Sequence, residues 1–340
     1  MKILNYFQGE RIINKSGIGR ARRHQRKAYD LVKQDYTIDK RDKFDMAHIN
    51  TVYGKSYRLL KKCHKKNIPV IVHGHSTYED YCNSFACWKL FRGWFYHRLR
   101  VIYSNADAII TPTEYSKKLI DSYGFNVPIY ACSNGIDLDE FSYSQEKVDK
   151  FKKLFNIKEG QKLIIGVGML FQRKGIHDFI EIARHFPDIT FIWFGNLFPL
   201  FRTRFIKKAL RKKPDNVILP GYMDNDILKG AYLCADVFLF PSYEETEGIV
   251  VLEALASRCV TLVRDIGVYK EWLSDGINCY KAHNNEEFIE KIKYILENPQ
   301  EEIKENGYEV IKERSLQKVG QKLKDIYEEV YKNYKEKNKV

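Results

Sequence analysis

No long uncharged apolar run occurs in this chain, and its mean hydropathy is -0.45, so a membrane-spanning helix is not expected. Proline is sparse at 9 of 340 residues, with no internal repeat and no low-complexity linker. Folded domains are expected throughout. The seven cysteines are an odd number without paired metal spacing, which points to reduced thiols in a cytosolic protein and away from a disulfide framework. Met1 to Phe7 reads as a first strand, not a secretion signal. Acids are missing where bases gather: Arg11 to Lys27 and Leu200 to Lys213 each hold seven Lys or Arg and no Asp or Glu. With a net charge of +13 and a pI near 9.2, the chain calls for an anionic partner. Nucleic acid and an anionic membrane surface are the two candidates.

What is present is an alternation of short apolar strands with helical stretches, the pattern of βαβ units, in a chain long enough for two domains of roughly 100–200 residues. Asp236-Val237-Phe238-Leu239-Phe240 reads as a strand buried on both faces of a parallel sheet. Pro241 and the cluster Glu244-Glu245-Thr246-Glu247 end it. Beyond them Ile249, Val250, Leu252, Leu255 and Ala256 recur at helical spacing, so a helix should start at or near Gly248. A helix start just past the carboxyl end of a parallel strand is where open α/β sheets hold ligands. Its bare N–H groups at Gly248, Ile249 and Val250 suit a diphosphate. Glu253, about one turn further in, leans back toward the same pocket and can accept hydrogen bonds from a ribose. Glu245 can hold a sugar at the mouth. A solvated acidic loop before a core helix is the alternative.

This stretch, with a Glu, a Gly three positions later and a second Glu eight positions after the first, resembles the donor-site signature of retaining GT-B glycosyltransferases of family 4. The resemblance implies an α/β fold of the GT-B kind, two Rossmann-like parallel-sheet domains facing across a cleft. It also implies that Glu253 binds the nucleotide ribose and Glu245 the donor sugar. Other segments carry it further. Ser16-Gly17-Ile18-Gly19 opens a basic helix; by itself a G-x-G is equally a plain strand-to-helix turn, whereas in the family such a loop faces the donor phosphates. Lys174-Gly175 matches the family's phosphate-binding pair. Met169 stands where the family has an Arg, a contact that Arg173 is expected to supply. Gly221 and Tyr222 correspond to the part that lies against the nucleobase.

His73-Gly74-His75-Ser76 follows the apolar run Pro69-Val70-Ile71-Val72. A turn at Gly74 argues against both histidines sharing one face, hence against a metal. His73 reads as structural. In the resemblance His75 contacts the donor sugar near the reacting carbon, making His75 and Glu245 the expected catalytic residues. The Asp-x-Asp spacings at Asp137 and Asp224 read as incidental, and no obligatory metal and no tightly bound cofactor are expected. From Phe85 to Ile102, aromatics at helical spacing stand among Lys89, Arg92, Arg98 and Arg100 with no acid. Such a helix fits a membrane interface or lipid-acceptor groove through Trp88, Arg92, Trp94, Phe95 and Arg98, or a core-facing helix with a solvated basic rim.

Read together, these segments and Ser133-Asn134-Gly135-Ile136-Asp137 resemble bacterial diglycosyldiacylglycerol synthases. That implies a peripheral enzyme on the cytoplasmic side of the cell membrane. Its donor would be a UDP-hexose, with glucose favoured over galactose, and its acceptor glucosyldiacylglycerol. An anionic lipid surface would be its partner, with no nucleic acid. A polysaccharide precursor or protein acceptor is the alternative, and a basic nucleic-acid-binding protein a remote one. The expected domains are 1–150 (acceptor side), 151–315 (nucleotide-sugar side) and a terminal helix at 316–340 returning to the first.

Overall fold

The structure, a computed structural model, describes residues 1–14 and 16–338. Apolar runs of three to five residues, too short for helices, form almost every strand. In the first unit β1 (Ile3–Tyr6), β2 (Tyr36–Thr37), β3 (Met46–Ile49), β4 (Val70–His73), β5 (Ala108–Thr111) and β6 (Ile129–Ala131) make one parallel sheet in the order β2-β1-β3-β4-β5-β6. Side chains alternate across it. Leu4, Ala47, Ile49, Val70, Val72 and Ile109 pack with Leu60, Leu99 and Tyr103 on one face. Ile3, Met46, Ile71, Ala108 and Ile110 pack with Tyr29, Val319, Leu323 and Tyr327 on the other. Both faces are dry, so these strands read as continuous apolar runs.

The second unit holds β7 (Leu163–Val167), β8 (Thr190–Phe194), β9 (Val217–Gly221), β10 (Val237–Phe240), β11 (Thr261–Arg264) and β12 (Tyr280–Ala282), parallel and ordered β12-β11-β10-β7-β8-β9. This is the doubly wound arrangement of a dinucleotide-binding sheet, whose order reverses between β7 and β10. At such a reversal the connections from neighbouring strands run to opposite faces of the sheet, which makes the carboxyl ends of β7 and β10 the place to look for a ligand site.

The chain passes from the first unit to the second between Gly135 and Ile136, ahead of residue 150. The reason is packing: Val148 and Phe151 of the Gln145–Phe155 helix are buried, with the Phe151 ring 6.3 Å from Phe194 of β8. From Arg314 the chain belongs to the first unit again. There the Leu316–Asn338 helix lies so close to the Gly17–Leu31 helix that a Cβ on Gly320 would come within 2.6 Å of the Ala28 carbonyl oxygen. Cys82–Trp88 belongs to the second unit although it lies within the first half of the chain. Ala86 N donates to the Phe201 carbonyl at 2.8 Å.

Candidate active site

At the reversal in the second sheet, the loop after β7 carries Arg173 and Lys174, and the loop after β10 carries Glu245. Their approach is set by Gly175. Its φ is +74°, and a Cβ there would stand 2.2 Å from the Pro241 carbonyl oxygen, so only glycine lets the two loops touch. Tyr243 N then donates to the Arg173 carbonyl at 2.7 Å. Glu245 is buried and accepts from Lys174 Nζ and, at 2.7 Å, from Ser242 Oγ. Arg173 Nη1 stands 3.6 Å from the same carboxylate and donates at 2.9 Å to the Glu244 carbonyl, while its Nε donates to Ser84 Oγ at 2.8 Å. Burial alone would push the Glu245 carboxyl up. The charges of Lys174 and Arg173 and the hydrogen bonds from Lys174 and Ser242 outweigh burial and hold it below the usual carboxylate range.

The helix after this loop begins at Ile249 with Gly248 as its cap, as its spacing predicts. Gly248 has φ +84° and no side chain caps the turn. Its Cβ side faces the buried Tyr269 hydroxyl, 2.7 Å from where a Cβ would sit. Glu253 is fully buried and accepts from Tyr232 at 3.1 Å, so part of its hydrogen-bonding capacity serves the protein. Gly221 ends β9 with φ +83°, and Tyr222 beside it is 45% exposed. Asp224 caps the Asn225–Cys234 helix through Ile227 N at 3.0 Å, which gives one of the Asp-x-Asp spacings a structural role.

Sequence reasoning passed over Arg264, the last residue of β11. Its buried guanidinium donates to Asp178 Oδ2 at 3.0 Å, the Pro241 carbonyl at 3.2 Å and the His283 carbonyl at 2.6 Å, and lies 4.1 Å from the Tyr243 ring centre. It anchors the base of the loop that presents Glu245. An Arg closing an apolar strand at its carboxyl end was the available signal.

In the first unit β4 ends at His73, and the chain turns at Gly74. The rings of His73 and His75 stack at 3.8 Å, and His75 Nε2 donates to Asn50 Oδ1 at 3.2 Å. Behind them His48 lies 3.2 Å from His73 Nδ1 and 2.6 Å from the Tyr327 hydroxyl. Burial pushes His48 and His75 down to about 3, and His73 well below its ordinary value. All three are neutral imidazoles at pH 7. Gly17 opens the Gly17–Leu31 helix with open space around it, whereas Gly19 makes room for backbone, since a Cβ there would meet the Ile13 carbonyl oxygen at 2.2 Å.

The basic aromatic helix runs from Trp88 to Tyr103. Leu99 and Ile102 are buried and Phe95 stacks on Tyr81 at 4.0 Å, but Phe91 and Trp94 are exposed, with Arg98 5.9 Å from the Trp94 ring centre. Arg92 is exposed and Trp88 half-buried. The expected single apolar stripe is therefore core only in its last turns, because the helix extends past the cluster that packs its end. Phe85 lies ahead of the helix altogether.

Two doubly wound parallel sheets are the architecture of GT-B glycosyltransferases, and in this chain the second carries a cation pair and a buried carboxylate at its reversal point. The sequence profile described as Glycosyl transferases group 1 matches residues 147–310, and that of Glycosyltransferase Family 4 matches residues 7–140. A processive diacylglycerol alpha-glucosyltransferase of Acholeplasma laidlawii is 51% identical over 98% of this chain and 99% of its own. An alpha-galactosylglucosyldiacylglycerol synthase of Streptococcus pneumoniae is 31% identical over 54% of this chain and 50% of its own. In fold, Anabaena Alr3699/HepE, solved with UDP and glucose, superposes with a TM-score of 0.78 at 16% identity, covering 97% of this chain and 100% of that one. The chain belongs to the family 4 glycosyltransferases and is a hexosyltransferase. Among the described residues no helix is long and apolar enough to cross a membrane.

Proposed function

We propose that this enzyme transfers an α-hexosyl group from a UDP-sugar to monoglucosyldiacylglycerol with retention of configuration, making a diglycosyldiacylglycerol. Glucose is the favoured donor sugar and galactose the second. The observation that carries the reading is Glu245, buried and kept ionised by Lys174 and Arg173 beside the uncapped start of the Ile249–Ala256 helix. That cluster offers two cations and bare N–H groups for a leaving diphosphate, with no reorganisation when charge develops. The relative that matches along nearly its whole length, named a diacylglycerol alpha-glucosyltransferase, supports glucose and a glycerolipid.

In this reading Lys174, Arg173 and the amides at Gly248 and Ile249 hold the diphosphate, with Gly17 and Gly19 as further donor-binding residues. Glu253 meets the ribose, and Gly221 and Tyr222 lie against the base. Glu245 orients the hexose. Neutral His75 contacts it near the reacting carbon. The acceptor hydroxyl attacks the face from which the diphosphate departs, through an oxocarbenium-like state, and a donor phosphate oxygen takes the proton. No dedicated base and no obligatory metal are assigned. Trp88, Arg92, Trp94, Phe95 and Arg98 meet the lipid at the cytoplasmic face of the membrane, where the enzyme is peripheral.

The test is to incubate the protein with glucosyldiacylglycerol and labelled UDP-glucose or UDP-galactose and identify the lipid product. A labelled diglycosyl lipid with an α-linked new sugar is expected. Label transferred only to water, or to a polysaccharide precursor in preference to the lipid, refutes the acceptor.

A further inference from the structure

The second unit carries an exposed apolar cluster that the donor site does not use. Phe198, Leu200, Phe201 and Phe205 are 77%, 78%, 49% and 50% exposed, four large apolar side chains within eight residues. Single exposed hydrophobics are ordinary, but a contiguous set is the mark of an interaction surface. The set is held in shape. Pro199–Phe201 forms a 3₁₀ turn, closed where Phe201 N donates to the Phe198 carbonyl at 2.9 Å. Arg202 folds back to donate to the Leu197 carbonyl at 2.7 Å and Asn196 Oδ1 at 2.9 Å. Thr203 then caps the Arg204–Arg211 helix through Ile206 N at 3.2 Å, and buried Ile206 pins that helix down with Phe205 and Lys208 outward.

Charge decides what covers this cluster. From Leu200 to Lys213 there are seven Lys or Arg and no acid. Aromatic and aliphatic tips set among unopposed cations complement an anionic lipid interface, where the tips enter the acyl boundary and the cations meet headgroups. We propose that the Phe198–Lys213 segment of the second unit is a membrane-contact site, joined by the Ala86–Phe201 hydrogen bond to the segment that leads into the Trp88–Tyr103 helix. It rests on the reading that the enzyme works at a lipid surface. The Phe205 ring meets His177 edge-on at 4.8 Å, and His177 stacks with Tyr243 at 5.8 Å, two residues from Glu245. The site is thereby packed against the donor loop, which makes Phe198 and Leu200, remote from that stack, the residues to alter.

The experiment is sedimentation with vesicles of equal parts phosphatidylglycerol and phosphatidylcholine, for the 340-residue chain and its Phe198→Glu/Leu200→Glu variant. Wild-type binding tests the lipid-surface reading itself; the variant tests this site. Loss of roughly tenfold or more in vesicle affinity is expected, with UDP binding in solution unchanged as the sign of an intact fold. A Leu200→Trp substitution in a Trp94→Phe background gives an independent readout. Brominated acyl chains should quench emission beyond the quenching of the parent. Unchanged affinity in the Glu variant, or no added quenching, overturns the proposal. So does concentration-dependent self-association that the Glu variant abolishes while vesicle binding persists, since a second copy would then be the occupant.

Discussion

Lys174→Met isolates the carboxylate on which the proposed donor site depends. Glu245 has a side chain only 7% exposed, and its cationic neighbours are Lys174, in hydrogen-bond contact, and Arg173 at 3.6 Å. Removing one partner of a buried pair costs about 3–5 kcal/mol because the other charge is left desolvated. Here Arg173 and Ser242 Oγ remain, so a loss of about 2–3 kcal/mol is expected in the second unit. Replacing the carboxylate as well, in Lys174→Met/Glu245→Gln, deletes the Lys174–Glu245 interaction from both sides, so the double variant should cost less than the sum of the two single variants, a coupling that the double-mutant cycle measures directly. Activity should behave differently. Losing a positioned cation at developing charge costs roughly 10²–10³ in kcat, and both variants should stay inactive. Urea unfolding followed by tryptophan emission is suited to the test, because Trp88, Trp193 and Trp272 all belong to the second unit. A single variant that unfolds at the wild-type midpoint, or Lys174→Met and Glu245→Gln losses that simply add in the double variant, would refute the pairing argued from Glu245.

The first unit should lose stability as pH falls. His48 is pushed down to about 3 in the fold against about 6.5 unfolded, so above pH 6.5 neither state binds its proton, whereas between about 6.5 and 3 only the unfolded chain does, costing about 1.4 kcal/mol per pH unit. Denaturation midpoints flat above pH 7 and falling below 6.5, with a shallower fall in His48→Asn, are expected; an equal slope in the variant counts against the buried stack. Gly175→Ala must either hold a left-handed φ, at about 1–2 kcal/mol, and drive the Pro241 carbonyl away from 2.2 Å, or shift the Lys174 turn. Either movement separates Lys174 from Glu245, so KM for UDP-sugar should rise and kcat fall, and wild-type kinetics in this variant would show that the two loops do not meet there.

Much of the framework was legible because parallel strands buried on both faces leave an unbroken apolar record, as Val237–Phe240 and Val70–His73 do. Local chemistry was legible too. The start of the Ile249–Ala256 helix at Gly248 fell where spacing put it. What escaped was set by partners distant in sequence. Nothing in Cys82–Trp88 announces that Arg173 will donate to Ser84 or that Phe201 will accept from Ala86. The Arg204–Arg211 helix read only as a basic run, because its single buried anchor, Ile206, is too little for a periodicity. The two-residue strand at Tyr36–Thr37 is an edge whose pairing with Ile3 and Leu4 leaves no apolar run.

The contrast between the two strand-end clusters bears on which ligand each can take. At the β7/β10 reversal burial is answered with charge: two cations, Lys174 and Arg173, surround the Glu245 carboxylate beside a helix start that no side chain caps. At the end of β4 burial is answered with neutrality, three imidazoles and the Asn50 amide sharing hydrogen bonds and stacking without a formal charge. A diphosphate, with its own charge to neutralise, gains from the first environment and would be stranded in the second. An uncharged sugar ring meets no such penalty at the neutral edge, whose donors and ring faces suit hydroxyls and C–H groups. If the histidine cluster instead bound phosphate, it would have to take up protons on binding, and affinity for UDP-glucose, whose doubly esterified diphosphate does not titrate near neutrality, would strengthen as pH fell toward the depressed histidine values. Affinity that stays flat from pH 8 to the onset of unfolding is the outcome this division of chemistry requires.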